Sequence, residues 1–313
     1  MQSKRELGKS GISITPLMLG TNVLGWNVDE KTSFAILDAF VDQRGNAIDT
    51  ADVYSAWAPG HKGGESESVI GRWFKASGKR GKVVIATKAG MLATRVGIKR
   101  DNIIAACEDS LTRLQTDAID LYQLHRDDEV TAPDEYLGAL DALHKAGKVR
   151  AIGASNFKAG RFSEAMAASG GNLPRFSTLQ PEYNLLAREI EVDLMPICVR
   201  EGVSLIPYYG LANGYLSGKY RSPADKAKSA SRGSRMDKYM EGKGPAVLAA
   251  LDAIGARIKA TPAQIALAWI MAKPAIAAPI ASATSVSQLT ELMGALQVTL
   301  STEDIAVLDR ASA

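Results

Sequence analysis

Four residues that can exchange protons or hold charge lie at or just past the ends of short apolar runs. Asp49 and Tyr54 lie in N-A-I-D-T-A-D-V-Y, Lys88 ends V-V-I-A-T-K, and His125 ends I-D-L-Y-Q-L-H. Such runs are typical of β-strands, and in a barrel of parallel strands the carboxyl ends converge on one mouth. A carboxylate, a phenol, an amine and an imidazole at that mouth would form a proton-transfer site.

These four side chains suit the reduction of a carbonyl group by an external source of hydride. A phenol has a pKa of about 10 and gives up its proton poorly at neutral pH unless a cation stabilises the phenolate. Lys88 can supply that cation, and Asp49 can keep Lys88 charged and in position. His125 can donate a hydrogen bond to a substrate oxygen, with Tyr54 as the acid, and general acid catalysis is typically worth about 10²–10⁴-fold.

Short apolar runs alternate with longer amphipathic stretches along the chain. Most of the runs are continuously apolar, as expected for parallel strands that are covered on both faces. The predicted strands are residues 17–20, 47–51, 83–88, 119–125, 151–156, 178–182, 204–209 and 275–280. The predicted helices between them are residues 30–43, 65–75, 100–114, 133–146, 158–168, 188–200 and 261–273.

This alternation predicts an α/β fold, a (β/α)8 TIM barrel, with an open doubly wound sheet as the alternative. We see no linker or internal repeat, so residues 1–313 are predicted to form a single domain. Residues 210–245 form a long loop after strand seven, of a length that usually serves function. Residues 285–313 are predicted to add C-terminal helices.

Composition excludes several classes of function. The net charge of +3 is spread along the chain, which argues against a nucleic-acid surface. The two cysteines, Cys107 and Cys198, fit neither a disulfide framework nor a metal site, and we expect no bound metal. The N-terminus has no apolar signal region and no run of 18 apolar residues occurs, so we expect a cytoplasmic protein that does not span a membrane. The oligomeric state stays open.

At this point the sequence resembles the aldo-keto reductases. The similar blocks are N-A-I-D-T-A-D-V-Y, V-V-I-A-T-K, D-L-Y-Q-L-H-R, I-G-A-S-N-F, L-Q-P-E-Y-N-L and P-Y-Y-G-L-A-N-G-Y-L-S-G-K-Y, which follow in order over nearly the whole chain. The resemblance implies that Asp49, Tyr54, Lys88 and His125 form the family's catalytic tetrad, with Tyr54 as proton donor.

The resemblance also implies an extended nicotinamide dinucleotide across the barrel mouth. No G-x-G-x-x-G follows a strand, so a Rossmann phosphate site is not indicated. In the family pattern, Ser155, Asn156 and Gln180 match the positions that hydrogen-bond the carboxamide, and Tyr208 matches the aromatic residue that stacks on the nicotinamide. Gly20 and Thr21 match the contact near the ribose, Leu211, Asn213 and Lys219 lie in the loop over the pyrophosphate, and Asp49 is also expected to contact the cofactor.

The block P-I-A-S-A-T-S-V-S-Q-L-T-E-L departs from the family. Ser282, Thr284, Gln288 and Glu291 keep polar contact positions, but Ser285 stands where many relatives carry a cation against the 2′-phosphate. Leu292 replaces an Asn at the adenine. Arg232 and Arg235 in the long loop are possible substitutes for that cation, with a solvated loop as the other interpretation. NADP(H) is therefore favoured as cofactor, and NAD(H) stays an alternative.

Aromatic residues are the predicted walls of the substrate pocket. They are Trp26, Tyr54, Trp57 and Tyr209, together with His125. Such walls suit a small-molecule carbonyl or alcohol, but they do not choose among sugars, steroids, terpenoids and aryl aldehydes. Trp57 also has a plainer interpretation, in which it packs its loop onto the barrel rim.

Two other functions remain open from the sequence. A Schiff-base aldolase would use Lys88 as nucleophile, which requires a neutral lysine, whereas a neighbouring Asp49 should keep it charged. A cofactor-binding accessory subunit of a membrane channel would use the same fold without turnover. The complete tetrad favours turnover over such an accessory role.

Overall fold

The computed structural model describes residues 3–228 and 236–313. Eight parallel strands form one sheet in which neighbours follow chain order and the last strand lies beside the first. They are Met18–Gly20, Ala47–Asp49, Val84–Ala89, Ile119–Leu124, Val149–Ser155, Thr178–Gln180, Ser204–Leu205 and Ile280–Ala281. A parallel bridge between Leu205 and Ile276 joins the seventh strand to the segment before the eighth. The predicted (β/α)8 barrel is confirmed.

The eighth strand lies later in the chain than its apolar run predicts. It was expected at residues 275–280 and is found at Ile280–Ala281. Ala275 has a φ of 58°, which is not extended, and Pro279 has no N–H to donate to a ladder. Pro207 shortens the predicted seventh strand for the same reason.

Helices surround the sheet. Those of the described ranges are Glu30–Asp42, Glu65–Ser77, Arg100–Leu114, Pro133–Lys145, Ala159–Ala168, Leu194–Glu201, Asp237–Met240, Gly244–Ile258, Pro262–Met271, Val286–Met293 and Thr302–Ala311. The helix predicted at residues 188–200 is divided, because a 3-10 turn at Glu189–Glu191 precedes the helix that Asp193 caps. The helix Gly244–Ile258 was not predicted.

A short N-terminal hairpin closes the end of the barrel opposite Asp49, Lys88 and His125. Arg5–Glu6 pairs antiparallel with Ser13–Ile14. The Gly8 N–H donates to Ser204 Oγ at 2.8 Å, at the first residue of the seventh strand. The apolar side chains of the hairpin pack with the interior of the barrel, in a cluster that contains Leu7, Ile12, Ile14, Met18, Ala47, Ala86, Leu121, Ala151 and Ile206.

The long loop after the seventh strand is packed where the structure describes it. It contains 3-10 turns at Ala212–Ser217 and Pro223–Lys228. The Tyr215 and Tyr239 rings stack with centroids 5.7 Å apart. Residues 229–235, and with them Arg232 and Arg235, lie outside the described residues.

Neither cysteine is available for chemistry. Cys107 and Cys198 are free thiols buried in helices, and burial raises the pKa of each to about 12. Within the described ranges, no helix has both the length and the apolar character needed to cross a bilayer.

The contact between two neighbouring helices depends on a glycine. A Cβ added at Gly71 would lie 2.2 Å from the carbonyl oxygen of Arg113. We therefore expect Gly71→Ala to lower the free energy of unfolding by about 1–3 kcal/mol, as overpacking does, although alanine is the better helix former. Urea unfolding measures the change.

Gly138→Ala is the matched control, because the nearest atom to its added Cβ would be 3.9 Å away, on Arg100. With space available, this variant should gain about 0.5–1 kcal/mol from its helix propensity. Equal stability of the two variants would contradict the close contact at Gly71.

Candidate active site

Strand register places the candidate residues at one end of the barrel. Asp49 is the last residue of the second strand and lies opposite Gly20 and Ala86 of its neighbours. Lys88 lies opposite Gln123. Gln180 ends the sixth strand, three strands away from Lys88. The carboxyl ends of all these strands meet at the same mouth.

Asp49 is the hub of the site. Its carboxylate accepts hydrogen bonds from Lys88 Nζ at 2.8 and 2.7 Å, from Tyr54 OH at 3.2 Å and from Gln180 Nε2 at 2.9 Å. The Asp49 side chain is 1% exposed and that of Lys88 is fully buried. One carboxylate thus joins side chains from the second, third and sixth strands and from the loop that carries Tyr54.

All three protons of the Lys88 ammonium have acceptors. Two point to Asp49, and the third hydrogen-bonds the carbonyl oxygen of Thr50 at 2.7 Å. Burial lowers the pKa of Lys88, and Asp49 opposes that shift. Lys88 is therefore held rigidly, with no spare proton directed at Tyr54.

Tyr54 is positioned by the loop after the second strand. Asp52 N–H donates to the carbonyl of Lys88 at 3.0 Å, and Ser55 Oγ donates to that of Leu24 at 2.9 Å. These two bonds fix the loop on either side of Tyr54. The Lys88 ammonium lies 4.8 Å from the centre of the Tyr54 ring.

The sequence did not reveal that the Tyr54 hydroxyl donates to Asp49. Burial, and then the Asp49 charge, raise the pKa of Tyr54 well above its usual value. The phenol is consequently protonated at neutral pH, and Lys88 acts on it through charge across the ring face rather than by a hydrogen bond.

His125 follows the fourth strand and faces the same space. Its ring lies 6.2 Å from that of Tyr54, nearly edge to face. Burial, then the charges of Lys88 and Arg126, lower the pKa of His125 well below its usual value. His125 Nδ1 is buried and has no hydrogen-bond partner in the described part of the chain. A neutral imidazole is thus present beside the phenol.

An open cleft of about 400 Å³ lies over these residues. Of the predicted residues, those that line it are Gly20, Tyr54, Trp57, His125, Ser155, Asn156, Gln180, Tyr208, Tyr209, Leu211, Asn213 and Ser282. Asp49 and Lys88 lie beneath this surface. The structure therefore brings most of the predicted residues into one site.

The residues predicted to bind a carboxamide form a connected network. Tyr208 OH donates to Asn156 Oδ1 at 2.8 Å, and Asn156 Nδ2 donates to the His125 carbonyl at 2.9 Å. Ser155 Oγ donates to the Gln180 carbonyl at 2.8 Å. Asn156 has a φ of 55°, in the left-handed region that Asn tolerates. This network fixes one wall of the cleft.

Thr21 has a structural position. It is fully buried, its Oγ1 donates to the carbonyl of Asp49 at 2.8 Å, and it also contacts Ser66 Oγ at 2.9 Å. Its predicted contact near a ribose stays a prediction. Ser282, in contrast, lines the cleft and donates to Asn22 Oδ1 at 2.6 Å.

Lys219, Thr284, Ser285 and Gln288, which were also predicted to contact the cofactor, are not among the residues that line the cleft. Lys219 is exposed, with Nζ 4.9 Å from the Tyr220 ring centre. Thr284 Oγ1 donates to Gln288 Oε1 at 3.0 Å, and Ser285 Oγ caps the following helix by accepting from Gln288 N–H at 3.2 Å. Leu292 is 6% exposed and belongs to the core.

The predicted aromatic wall is present as a row of edge-to-face rings. Tyr54 and Trp57 have ring centroids 6.1 Å apart, and Trp57 and Trp26 have centroids 5.9 Å apart. Trp57 is half exposed and lines the cleft, whereas Trp26, predicted as part of the wall, contacts Trp57 but is not among the residues that line the cleft. Tyr209, 39% exposed, lines the cleft beside Tyr208.

Several lining residues were not predicted. They are Asn22, Val53, Met91, Arg126, Gly210, Gly214, Ile280 and Ala281. Asn22 and Arg126 each follow a predicted residue directly at a strand end, which is a signal that could have found them. Met91 lies in a small hairpin, Met91–Leu92 with Arg95–Val96, which no sequence pattern suggested.

A second group of buried charges lies behind Lys88. Glu67 is fully buried, accepts from Arg113 Nε at 2.7 Å and accepts from Thr87 Oγ1 at 2.5 Å. Asp52 is 1% exposed, and neither of its carboxylate oxygens has a hydrogen-bond partner among the described residues. Burial, then the Glu67 charge, raise the pKa of Asp52 to about 7.

Asp52 should make stability depend on pH. An unfolded Asp has a pKa of about 3.9, so the folded state holds this proton more tightly. Its contribution to stability is complete below about pH 4 and is lost as the pH rises through about 7. Asp52→Asn removes the carboxyl group and with it this loss of stability. The free energy of unfolding of the variant, relative to that of the wild type, should therefore rise by roughly 2–3 kcal/mol as the pH increases from 5 to 8. Denaturant unfolding at several pH values measures this.

Asp128→Asn is the control. Hydrogen bonds from Thr131 and neighbouring backbone N–H groups lower the pKa of Asp128, so its stability contribution changes only at more acidic pH. Its difference from the wild type should be flat from pH 5 to pH 8. A flat difference for Asp52→Asn as well would show that Asp52 is ionised throughout.

Comparisons with known proteins test the resemblance. The sequence model of the Aldo/keto reductase family matches residues 16–313. "Uncharacterized oxidoreductase YrpG" of Bacillus subtilis (strain 168) is 34% identical over 314 residues, which cover 97% of this chain and 94% of that protein. "Protein tas" of Escherichia coli (strain K12) is 34% identical over 327 residues, covering 96% and 94%.

A relative from yeast matches at similar coverage. "Putative aryl-alcohol dehydrogenase AAD16" of Saccharomyces cerevisiae is 31% identical over 336 residues, covering 97% of this chain and 95% of that protein. The family match extends over the barrel and the C-terminal helices, and the alignments to the three relatives named here cover 96–97% of this chain and 94–95% of each relative. The chain belongs to the aldo/keto reductase family and is an oxidoreductase.

Proposed function

We propose that this protein reduces an aldehyde or ketone to an alcohol, or catalyses the reverse reaction, with a nicotinamide dinucleotide as the source or acceptor of hydride. Tyr54 is the general acid or base, assisted by Lys88, Asp49 and His125. The observation that carries the proposal is the Asp49 hub, which holds a buried ammonium 4.8 Å from the ring of a phenol that faces the cleft.

The residues of the cleft fit a nicotinamide cofactor. A carboxamide needs both a donor and an acceptor, and Ser155, Asn156 and Gln180 offer hydroxyl and amide groups on one wall. The half-buried Tyr208 ring beside them is held by Asn156 and can stack on a flat heterocycle. When bound, such a cofactor supplies or accepts the hydride.

The protein's own groups handle the proton. Tyr54 has a raised pKa and keeps its proton until a substrate oxygen draws the hydroxyl away from Asp49. As the phenol loses its proton, the fixed Lys88 charge stabilises the phenolate, at the cost of repulsion from Asp49. His125, neutral at physiological pH, can donate a hydrogen bond to the same oxygen.

The two rival functions are less consistent with this site. A Schiff-base lysine must be neutral and free to attack, whereas Lys88 is fully buried with three acceptors. The reaction class fits the relative named an aryl-alcohol dehydrogenase. A role as accessory subunit of a membrane channel gains support from no feature of the described residues.

We favour NADP(H) over NAD(H) from the resemblance. Ser285 carries no charge and its hydroxyl caps a helix, so the cation for a 2′-phosphate has to come from elsewhere. Arg232 and Arg235 are the candidates in the long loop.

Tyr54→Phe should remove most carbonyl reduction, because it deletes only the transferable proton. The expected loss in kcat is about 10²–10⁴-fold, while nucleotide binding, followed by fluorescence titration, should persist. Tyr209→Phe is the control, since it removes another phenol of the same cleft. Near-normal turnover by Tyr54→Phe would exclude Tyr54 as the acid.

If Arg232 or Arg235 binds the 2′-phosphate, Arg→Ala there should weaken NADPH much more than NADH. Loss of a charge-assisted contact should raise the Kd for NADPH about ten- to a hundredfold. Lys219→Ala is the control, because a contact to the shared pyrophosphate should affect both nucleotides equally. Unchanged binding of both nucleotides by the arginine variants would show that neither Arg232 nor Arg235 supplies the cation that is missing at Ser285.

A further inference from the structure

Arg126 is a cation at the mouth of the cleft that the proposed reaction does not use. It follows His125 directly, is exposed, and lines the same cleft as Tyr54 and Trp57. Of the lining residues in the described part of the chain, it alone is a Lys, Arg, Asp or Glu, and the pKa of His125 is lowered while those of Tyr54 and Tyr208 are raised. No carboxylate is part of that lining.

The acidic residues that follow Arg126 are all bound to other groups. Asp127 is held by two hydrogen bonds from Arg161, at 2.8 and 3.0 Å. Asp128 accepts from the N–H groups of Ile98 and Thr131. Glu129 pairs with Lys158 at 2.6 Å. The local sequence R-D-D-E would suggest that Arg126 pairs with a neighbour, but each neighbour has another partner.

Arg126 itself has no ion pair or side-chain hydrogen bond with any residue in the ranges 3–228 and 236–313. Its charge nevertheless acts on the site, because it is one cause of the lowered pKa of His125. The mouth therefore holds a positive charge next to the imidazole, and no carboxylate is among the described residues that line the cleft. A planar guanidinium with free N–H groups matches the geometry of a carboxylate.

We propose that Arg126 binds an anionic group of the substrate, so that the preferred substrates are carbonyl compounds that also carry a carboxylate. This inference rests on the proposed function and specifies its substrate class. With the reacting oxygen near Tyr54 and His125, a carboxylate elsewhere on the molecule meets the guanidinium, while Trp57 covers an apolar body between the two groups.

A matched pair of aldehydes tests the proposal. The probes are 4-carboxybenzaldehyde and 4-nitrobenzaldehyde, which share ring and shape but differ in charge. Wild-type kcat/KM should favour the carboxylate once the intrinsic reactivities are compared, and Arg126→Ala should lower kcat/KM for the carboxylate by about tenfold or more, mainly through KM. Loss for the nitro compound should be much smaller.

Two control variants separate a local contact from net charge. Arg126→Lys keeps the charge without the fork and should retain part of the preference. Lys75→Ala removes one positive charge on an outer helix, where Lys75 is exposed. It should leave kcat/KM unchanged for both aldehydes. A preference that depends on Arg126 should also weaken at high salt.

A binding measurement keeps the test independent of turnover. Calorimetry with 4-(hydroxymethyl)benzoate, the alcohol product, should show a Kd that is about tenfold higher for Arg126→Ala than for the wild type. Equal Kd values would overturn the anion site even if aldehydes are reduced. Conversely, tight Arg126-dependent binding without any carbonyl reduction would support the anion site and contradict the proposed reaction.

Nucleotide binding distinguishes the remaining source of anions. If Arg126 instead binds a phosphate of the cofactor, Arg126→Ala should weaken both NADPH and NADH and should lower kcat/KM for both aldehydes alike. That result would overturn the proposal. Unchanged nucleotide Kd values together with a selective loss for the carboxylate would support it.

Discussion

The site depends on one buried carboxylate. Removing charges from water is costly, and a buried ion pair is tolerated only when its remaining hydrogen-bonding groups are satisfied. Asp49 meets this condition, because Lys88, Tyr54 and Gln180 all donate to it, and the third Lys88 proton finds the Thr50 carbonyl. Loss of either charge would leave the other buried alone, which typically costs about 3–5 kcal/mol. The same bonds that organise the candidate site therefore hold the second, third and sixth strands together.

The buried charges at and behind Lys88 nearly cancel. Glu67 and Arg113 form one ion pair, Asp49 and Lys88 form another, and Asp52 is a fifth ionisable group. A proton on Asp52 makes the group neutral overall, which is consistent with a pKa raised to about 7. Because Asp52 belongs to the loop that carries Tyr54, its protonation and the position of the phenol share one segment of backbone.

The sequence predicted the barrel and the positions of Asp49, Lys88 and His125, because strand ends are visible as the boundaries of apolar runs. It predicted less about the connections between side chains. That Tyr54 donates to Asp49 depends on a rotamer, and the burial of Thr21 depends on how two strands pack. The helix Gly244–Ile258 was missed because a glycine at its first position indicates a break rather than a helix. The eighth strand was predicted too early because the apolar run at residues 275–280 continues through Pro279, which cannot donate to a ladder. The cofactor preference stays a prediction, since it depends on Arg232 and Arg235.

The residues of the candidate site belong to two layers of this molecule. Asp49, Lys88 and His125 lie at or directly after strand ends and are fixed by the sheet, whereas Tyr54 and the aromatic and charged walls belong to loops, which vary more readily within a fold. Arg126 connects the two layers, because it is the next residue after His125 and its charge disfavours the imidazolium. An anion bound to Arg126 would offset that charge and make His125 easier to protonate. By reciprocity, protonation of His125 would strengthen anion binding by the same factor. Substrate charge and the proton state of the site are thus physically coupled through two adjacent residues.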